Sequence, residues 1–100
     1  MLENLFSLDG RVGLVTGGSR GIGKMIAAGF LSHGATKVYI TARKAGPCEE
    51  TARELTAEYG RECIALPIDI SNLAGIDRLA MEIKAREPKH DILVNDAGAA

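Results

Sequence analysis

The chain has 100 residues, of which 46% are apolar and 25% charged, and its formal net charge is −1. This length predicts one small globular domain, and the charge balance lacks the basic excess of nucleic-acid binders. Cys48, Cys63, His33 and His90 show neither a disulfide framework nor the spacing of metal ligands. Because the N-terminus is unlike a secretory signal and no apolar stretch could span a bilayer, we expect a cytoplasmic protein without membrane or nucleic-acid partners.

Short apolar runs, most of them rich in β-branched residues, predict four buried strands. The segments between these runs carry an apolar stripe at helical spacing, which predicts three helices. The strands are expected at 12–16, 37–41, 63–66 and 91–94, and the helices at 21–33, 47–59 and 72–87. Such alternation of strands and helices is typical of a parallel sheet covered by helices, so the chain is predicted to have an α/β fold.

The first predicted strand runs directly into a glycine-rich segment, residues 16–23, of sequence TGGSRGIG. Its glycines at 17, 21 and 23 have the spacing G-x-x-x-G-x-G, and a helix follows them. Glycines at this junction allow a tight turn and a close approach to a pyrophosphate, and the helix N-terminus attracts the phosphates. The segment therefore predicts a dinucleotide-binding loop. The alternative is a glycine-rich turn that binds no ligand.

The end of the second strand distinguishes between the two nicotinamide cofactors. Proteins that bind NAD place an acidic residue there, which binds the ribose 2′-hydroxyl. This chain has Arg43 and Lys44 at that point, and its next acidic residue is Glu49. Since arginine pairs well with phosphate, we predict NADP(H) in preference to NAD(H), with Arg20 of the loop nearby. The alternative is that Arg43 and Lys44 form a solvated pair.

Asp69 follows the third strand, at the edge of the sheet where ligands bind in such folds. Its carboxylate could accept a hydrogen bond from the base of the cofactor. It could equally cap the helix that follows, and the two roles are compatible. Ser71 or Asn72 is the expected N-cap of that helix.

Three motifs resemble those of the classical short-chain dehydrogenases/reductases, and the resemblance covers essentially the whole chain. Residues 16–23 are similar to the family's T-G-x-x-x-G-x-G loop, Asp69 and Ile70 to its adenine-contacting pair, and residues 95–98 (NDAG) to its N-N-A-G motif. The resemblance implies the N-terminal half of a Rossmann-type doubly wound parallel sheet with strand order 3-2-1-4. Residues 6–11 and two further short segments resemble a subgroup, the NADPH-dependent 3-oxoacyl-(acyl-carrier-protein) reductases and their rhamnolipid-associated relatives.

The resemblance also implies which residues would bind the cofactor. The loop would contact the pyrophosphate and adenosine side, Arg43 the 2′-phosphate, and the NDAG segment the ribose. The expected cofactor-binding residues are Thr16, Gly17, Ser19, Arg20, Gly21, Ile22, Gly23, Arg43, Asp69, Ile70, Asn95, Ala97 and Gly98. Asp96 stands where the family has asparagine. Because a carboxylate adds negative charge and cannot donate a hydrogen bond, we expect weaker cofactor binding or a looser sheet.

The activity implied by the resemblance is reduction of a ketone on a small molecule or an acyl carrier, by hydride transfer from NADPH. The family's catalytic Y-x-x-x-K motif does not occur in these 100 residues. We therefore expect residues 1–100 to be an NADP-binding domain truncated before the catalytic half. It would contain no catalytic residue, be inactive alone, and belong to a homo-oligomer when complete.

Two alternatives remain open from the residues themselves. The first is a non-catalytic dinucleotide-binding module that is complete at 100 residues. It differs from a reductase in whether the reading frame continues into a Y-x-x-x-K segment. The second is another enzyme on a similar fold, such as a nucleotide-sugar epimerase or a methyltransferase. The glycine spacing and the motif that begins at Asn95 argue against this second alternative.

Overall fold

The computed structural model describes residues 8–17 and 21–96, which form a four-stranded parallel sheet in the order β3-β2-β1-β4. This confirms the predicted fold class and strand order. The elements are β1 Val12–Thr16, α1 Gly21–Ser32, β2 Lys37–Thr41, α2 Ala45–Tyr59, β3 Glu62–Leu66, α3 Leu73–Arg86 and β4 Ile92–Asp96. Within this part of the chain, no helix has both the length and the apolar character needed to cross a membrane.

Helices cover both faces of the sheet, which explains why the strands read as nearly continuous apolar runs. Helices α1 and α2 pack on one face, against side chains that include Val15, Val38 and Ile40. Helix α3 packs on the other face, against Leu14 and Tyr39. Successive strand residues thus enter opposite cores, as the pleat of a β-strand requires. The central strand β1 has all five of its residues buried.

Two element boundaries differ from the prediction by two residues, and the other differences are of one residue. Helix α2 begins at Ala45 and not at Pro47. The helix can include Pro47 because N–H groups in the first helical turn have no helical partner, so a proline there loses no hydrogen bond. Strand β4 was predicted to end at Val94 but continues to Asp96, since β1 offers a partner as far as Thr16. The two polar residues predicted to follow the strand therefore belong to it.

Both cysteines lie in the core, as predicted. Cys48 and Cys63 are free thiols packed between the sheet and the helices α1 and α2. Burial raises the pKa of the Cys63 thiol to about 12 and also raises the pKa of the Cys48 thiol, so neither is an activated nucleophile. The Thr56 hydroxyl accepts a hydrogen bond from the Cys63 N–H (3.0 Å) and donates one to its carbonyl (3.2 Å). Helix α2 thereby satisfies part of the outer edge of β3.

A buried carboxylate fastens helix α3 to the sheet at the end opposite the strands' carboxyl ends. Glu87, which caps the C-terminus of α3, is 6% exposed. It accepts a hydrogen bond of 2.5 Å from the Tyr39 hydroxyl and lies 2.9 Å from Lys37 Nζ. His90 Nδ1 lies 3.3 Å from its second oxygen. The Tyr39 hydroxyl, followed by Lys37, holds the pKa of Glu87 below its usual range, and burial together with Glu87 raises the pKa of Tyr39.

Removing the Tyr39 hydroxyl is expected to destabilise the fold. The Tyr39→Phe variant should lose about 1.5–3 kcal/mol in the free energy of unfolding, since hydrogen bonds to charged groups contribute that much. Urea denaturation at pH 7 measures the change. The matched control is Tyr59→Phe, because the Tyr59 side chain is only partly buried and its hydroxyl makes no hydrogen bond to the described residues. Equal stability of the two variants would contradict this prediction.

The Glu87 carboxylate should also make stability depend on pH. Because its pKa is lower in the folded state than the ordinary value of 4.5, its contribution is complete above that value. The contribution is lost as the pH falls through the lowered folded-state pKa. We expect Glu87→Gln to show a smaller loss of stability between pH 7 and pH 3 than the parent chain, as measured by urea denaturation at each pH. If Glu87→Gln and the parent chain lose the same stability between pH 7 and pH 3, the Glu87 carboxylate does not cause the pH dependence.

Candidate cofactor-binding site

An open cavity of about 550 Å³ lies at the carboxyl-terminal edge of the sheet. Ligands of open α/β sheets bind at this edge. The wall of the cavity is built from the ends of β1, β2 and β4 and from the segment between β3 and α3. The lining residues are Thr16, Gly17, Thr41, Ala42, Arg43, Ile68, Asp69, Ile70, Ser71 and Asp96.

The backbone turns sharply where β1 meets the cavity. Gly17 has a φ of 74°, in the left-handed region that favours glycine. Its N–H donates a hydrogen bond of 2.9 Å to the Thr41 carbonyl at the end of β2. The glycine-rich segment therefore starts with a tight turn held against the neighbouring strand, and its backbone borders the cavity without a side chain. This geometry suits a close approach of a phosphate group.

A hydrogen bond between two side chains joins the ends of β1 and β4. The Thr16 hydroxyl donates to Asp96 Oδ1 at 2.7 Å, and both residues line the cavity. A carboxylate oxygen accepts this bond as the oxygen of an asparagine amide would. This hydrogen bond does not replace the one that an asparagine amide would donate. A looser sheet and weaker cofactor binding therefore both stay predictions.

The segment after β3 presents a second carboxylate to the cavity. Asp69 Oδ1 accepts a hydrogen bond of 2.9 Å from the Ser71 N–H. The Ser71 backbone, its hydroxyl and then the charge of Arg43 hold the pKa of Asp69 below its usual range, so the side chain is ionised at neutral pH. Asp69 therefore caps the turn before α3, whereas the N-cap of the helix itself is Asn72, one of the two predicted candidates.

The structure brings together part of the predicted site. Of the expected residues, Thr16, Gly17, Arg43, Asp69 and Ile70 line the cavity. Three more expected residues lie in the first turn of α1 and do not line the cavity: Gly21, the exposed Ile22 and the buried Gly23. Asn95 lies within β4, paired in register with Val15. Ser19, Arg20, Ala97 and Gly98 lie outside the described residues.

Five lining residues were not among the expected cofactor-binding residues: Thr41, Ala42, Ile68, Ser71 and Asp96. Each lies within two residues of an expected residue in sequence, so the positions of the predicted strand ends could have indicated it. In a parallel sheet, all residues at a strand's carboxyl end reach the same edge. No group of three or more His, Cys, Asp or Glu within 8–17 and 21–96 could hold a metal ion.

Known proteins share this sequence and this fold. Residues 11–100 match the family model described as short chain dehydrogenase. The rhamnolipids biosynthesis 3-oxoacyl-[acyl-carrier-protein] reductase of Pseudomonas aeruginosa is 54% identical over 95 residues, which are 95% of this chain and 36% of the reductase.

Two solved structures superpose closely on the chain. The Pseudomonas aeruginosa RhlG/NADP active-site complex has a TM-score of 0.80 and 49% identity, and the match covers 90% of this chain and 36% of that one. The L-sorbose reductase of Gluconobacter frateurii, complexed with NADPH and L-sorbose, has a TM-score of 0.83 and 33% identity over 94% of this chain and 35% of that one.

These matches cover nearly all of this chain but about a third of each relative. The family model alone spans 90 of the 100 residues, and it includes every motif from the glycine-rich loop to the end of β4. The parallel sheet, its strand order and the cavity at its carboxyl edge agree with that match. The chain therefore belongs to the short-chain dehydrogenase family of oxidoreductases.

Proposed function

We propose that this chain is the NADP(H)-binding part of a reductase that converts a ketone of the 3-oxoacyl type to an alcohol. The observation that carries the proposal is the composition of the cavity at the sheet edge. It combines the tight glycine turn at Gly17 with the exposed cation of Arg43, and no acidic residue stands between the end of β2 and Glu49. The complexes of two structural neighbours with NADP and NADPH support this assignment.

The lining residues suit the parts of this cofactor. The backbone at Gly17 would approach the pyrophosphate, and Arg43 would pair with the 2′-phosphate. The ionised Asp69 offers an acceptor to the amino group of adenine, beside the apolar Ile70. When bound, NADPH supplies the hydride that reduces the carbonyl carbon. The role of this chain is therefore to bind and orient, and we expect it to bind NADPH without oxidising it.

The substrate class is inferred from the relatives. The 54% identity to a 3-oxoacyl-[acyl-carrier-protein] reductase favours a 3-oxoacyl group, whether on a carrier or on a small molecule. The second candidate is a sugar ketone, because the L-sorbose reductase is 33% identical and has a similar fold. Comparing NADPH oxidation by the whole enzyme with a 3-oxoacyl thioester and with L-sorbose decides between them. A faster reaction with L-sorbose would overturn the first assignment.

Binding of NADPH and NADH to the chain tests the proposed cofactor. The parent chain should bind NADPH more tightly than NADH, as followed by nucleotide fluorescence. In Arg43→Gln, the affinity for NADPH should fall about tenfold or more, since a charge-assisted hydrogen bond contributes about 1.5–3 kcal/mol. The affinity for NADH, which lacks the 2′-phosphate, should change little.

The control for Arg43→Gln is Arg53→Gln, which removes an exposed arginine from helix α2 away from the cavity lining. It should leave the affinities for both nucleotides unchanged. Equal losses for NADPH and NADH in Arg43→Gln would show that Arg43 does not recognise the 2′-phosphate. Failure of the parent chain to bind either nucleotide would refute the proposed function.

The charge of Asp96 is expected to weaken cofactor binding. Asp96→Asn keeps an oxygen that can accept the Thr16 hydrogen bond but removes one negative charge from the cavity. Its affinity for NADPH should therefore rise a few-fold, by a Coulombic effect that added salt reduces. Fluorescence titration at low and high salt measures this. The matched control is Asp91→Asn, an exposed residue immediately before β4 and so at the far end of that strand from Asp96. An affinity of Asp96→Asn no higher than that of the parent would contradict the prediction.

A further inference from the structure

The first turn of α3 lies unusually close to the wall of the cavity. A Cβ atom at Gly75 would be 1.7 Å from the carbonyl oxygen of Asp69, 2.8 Å from its carbonyl carbon and 3.3 Å from the Cα of Ile70. These are backbone atoms, which cannot move aside as the end of a flexible side chain can. Any side chain at position 75 would therefore push the helix and the Asp69–Ile70 wall apart.

Hydrogen bonds hold the same segment together. Asn72 Oδ1 accepts a hydrogen bond of 2.8 Å from the Gly75 N–H, which fixes the start of the helix. The Asp69 carboxylate accepts one of 2.9 Å from the Ser71 N–H, which fixes the turn before it. The wall and the first helical turn are thus one packed unit. Gly75 belongs to this unit without lining the cavity itself.

Helix propensity does not account for a glycine at this position. Glycine is among the weakest helix formers, and alanine is the strongest. Its φ lies outside the left-handed region, so no backbone conformation requires it there either. The close approach to Asp69 is the remaining physical reason for a glycine at position 75.

We infer that Gly75 is a positioning residue for the adenosine side of the cofactor. By lacking a side chain, it lets α3 rest on the backbone of Asp69 and Ile70 and so places both residues at the cavity. This inference rests on the proposed function, because it assigns Asp69 and Ile70 to the adenosine side of NADP(H). It adds a determinant of affinity that makes no contact with the ligand.

Calorimetry with adenosine 2′,5′-bisphosphate, the adenosine half of NADP, tests the inference. The chain with Gly75→Ala should bind this ligand at least about tenfold more weakly than the parent, since loss of a hydrogen bond between the ligand and the charged Asp69 costs about that much. Gly29→Ala is the matched control, because Gly29 lies inside α1 and its added Cβ would meet nothing within 4 Å. Equal binding by the parent and Gly75→Ala would overturn the inference, whereas a parent that does not bind refutes the proposed function.

A measurement without ligand separates the two outcomes. The Asp69 carboxyl can be titrated by carbon-13 NMR in the parent and in Gly75→Ala. The added Cβ would press on the Asp69 carbonyl, inside the turn that the Asp69 side chain closes on the Ser71 N–H. This hydrogen bond should therefore weaken, and the pKa of Asp69 should rise toward the ordinary aspartate value. An unchanged titration would show that Gly75 does not position Asp69, whether or not the nucleotide binds.

The parent chain provides a further test if Gly75→Ala does not fold, which circular dichroism would reveal. On addition of adenosine 2′,5′-bisphosphate to the parent, the amide signal of Gly75 should shift together with that of Ser71, and the signal of Gly29 should not. A Gly75 signal that stays in place while Ser71 shifts would overturn the inference.

Discussion

The whole arrangement depends on the burial of β1 between two neighbouring strands and two layers of helices. All five residues of this strand are buried, and it pairs with β2 on one side and β4 on the other. Because these strands are parallel, their carboxyl ends meet at one edge. The end of β4 and the segments that follow β1, β2 and β3 therefore meet around a single cavity, although they are far apart in sequence.

The two ends of the sheet differ in how their charged side chains are paired. At one end, the buried Glu87 carboxylate is neutralised by Lys37 and receives the Tyr39 hydroxyl, so its charge is used to hold α3 against the sheet. At the other end, Asp69, Asp96 and Arg43 border an open cavity and remain accessible to a ligand. A buried charge needs a fixed partner, because removal from water is costly without one. A charge at an open cavity stays hydrated and can exchange this water for a ligand. The charged residues at one end therefore hold α3 on the sheet, whereas those at the other end are open to a ligand.

Close packing between elements also sets the positions of residues that border the cavity. Gly75 is neither catalytic nor exposed to the cavity, yet its missing side chain sets how closely α3 approaches the Asp69–Ile70 wall. The Thr16–Asp96 bond does the same for the ends of β1 and β4.

Local patterns in the sequence were sufficient for the fold class and for several of the residues that line the cavity. The alternation of apolar runs with helical stripes predicted the parallel sheet, and the glycine spacing, Arg43 and Asp69 predicted residues that the structure places at one cavity. These features could be predicted because each depends on residues that are close together in sequence, within one strand or about two turns of a helix. The family resemblance supplied the strand order in advance.

Only the tertiary structure decided the contacts between distant residues. The Thr16–Asp96 and Tyr39–Glu87 hydrogen bonds join positions 80 and 48 residues apart, and the extension of β4 to Asp96 follows from its register with β1. Even the contact of Gly75 with Asp69, close in sequence, depends on how α3 docks on the sheet. Periodicity shows which side of an element is apolar. It does not show which atoms face each other once two elements pack together, and those pairs determine how the site is held.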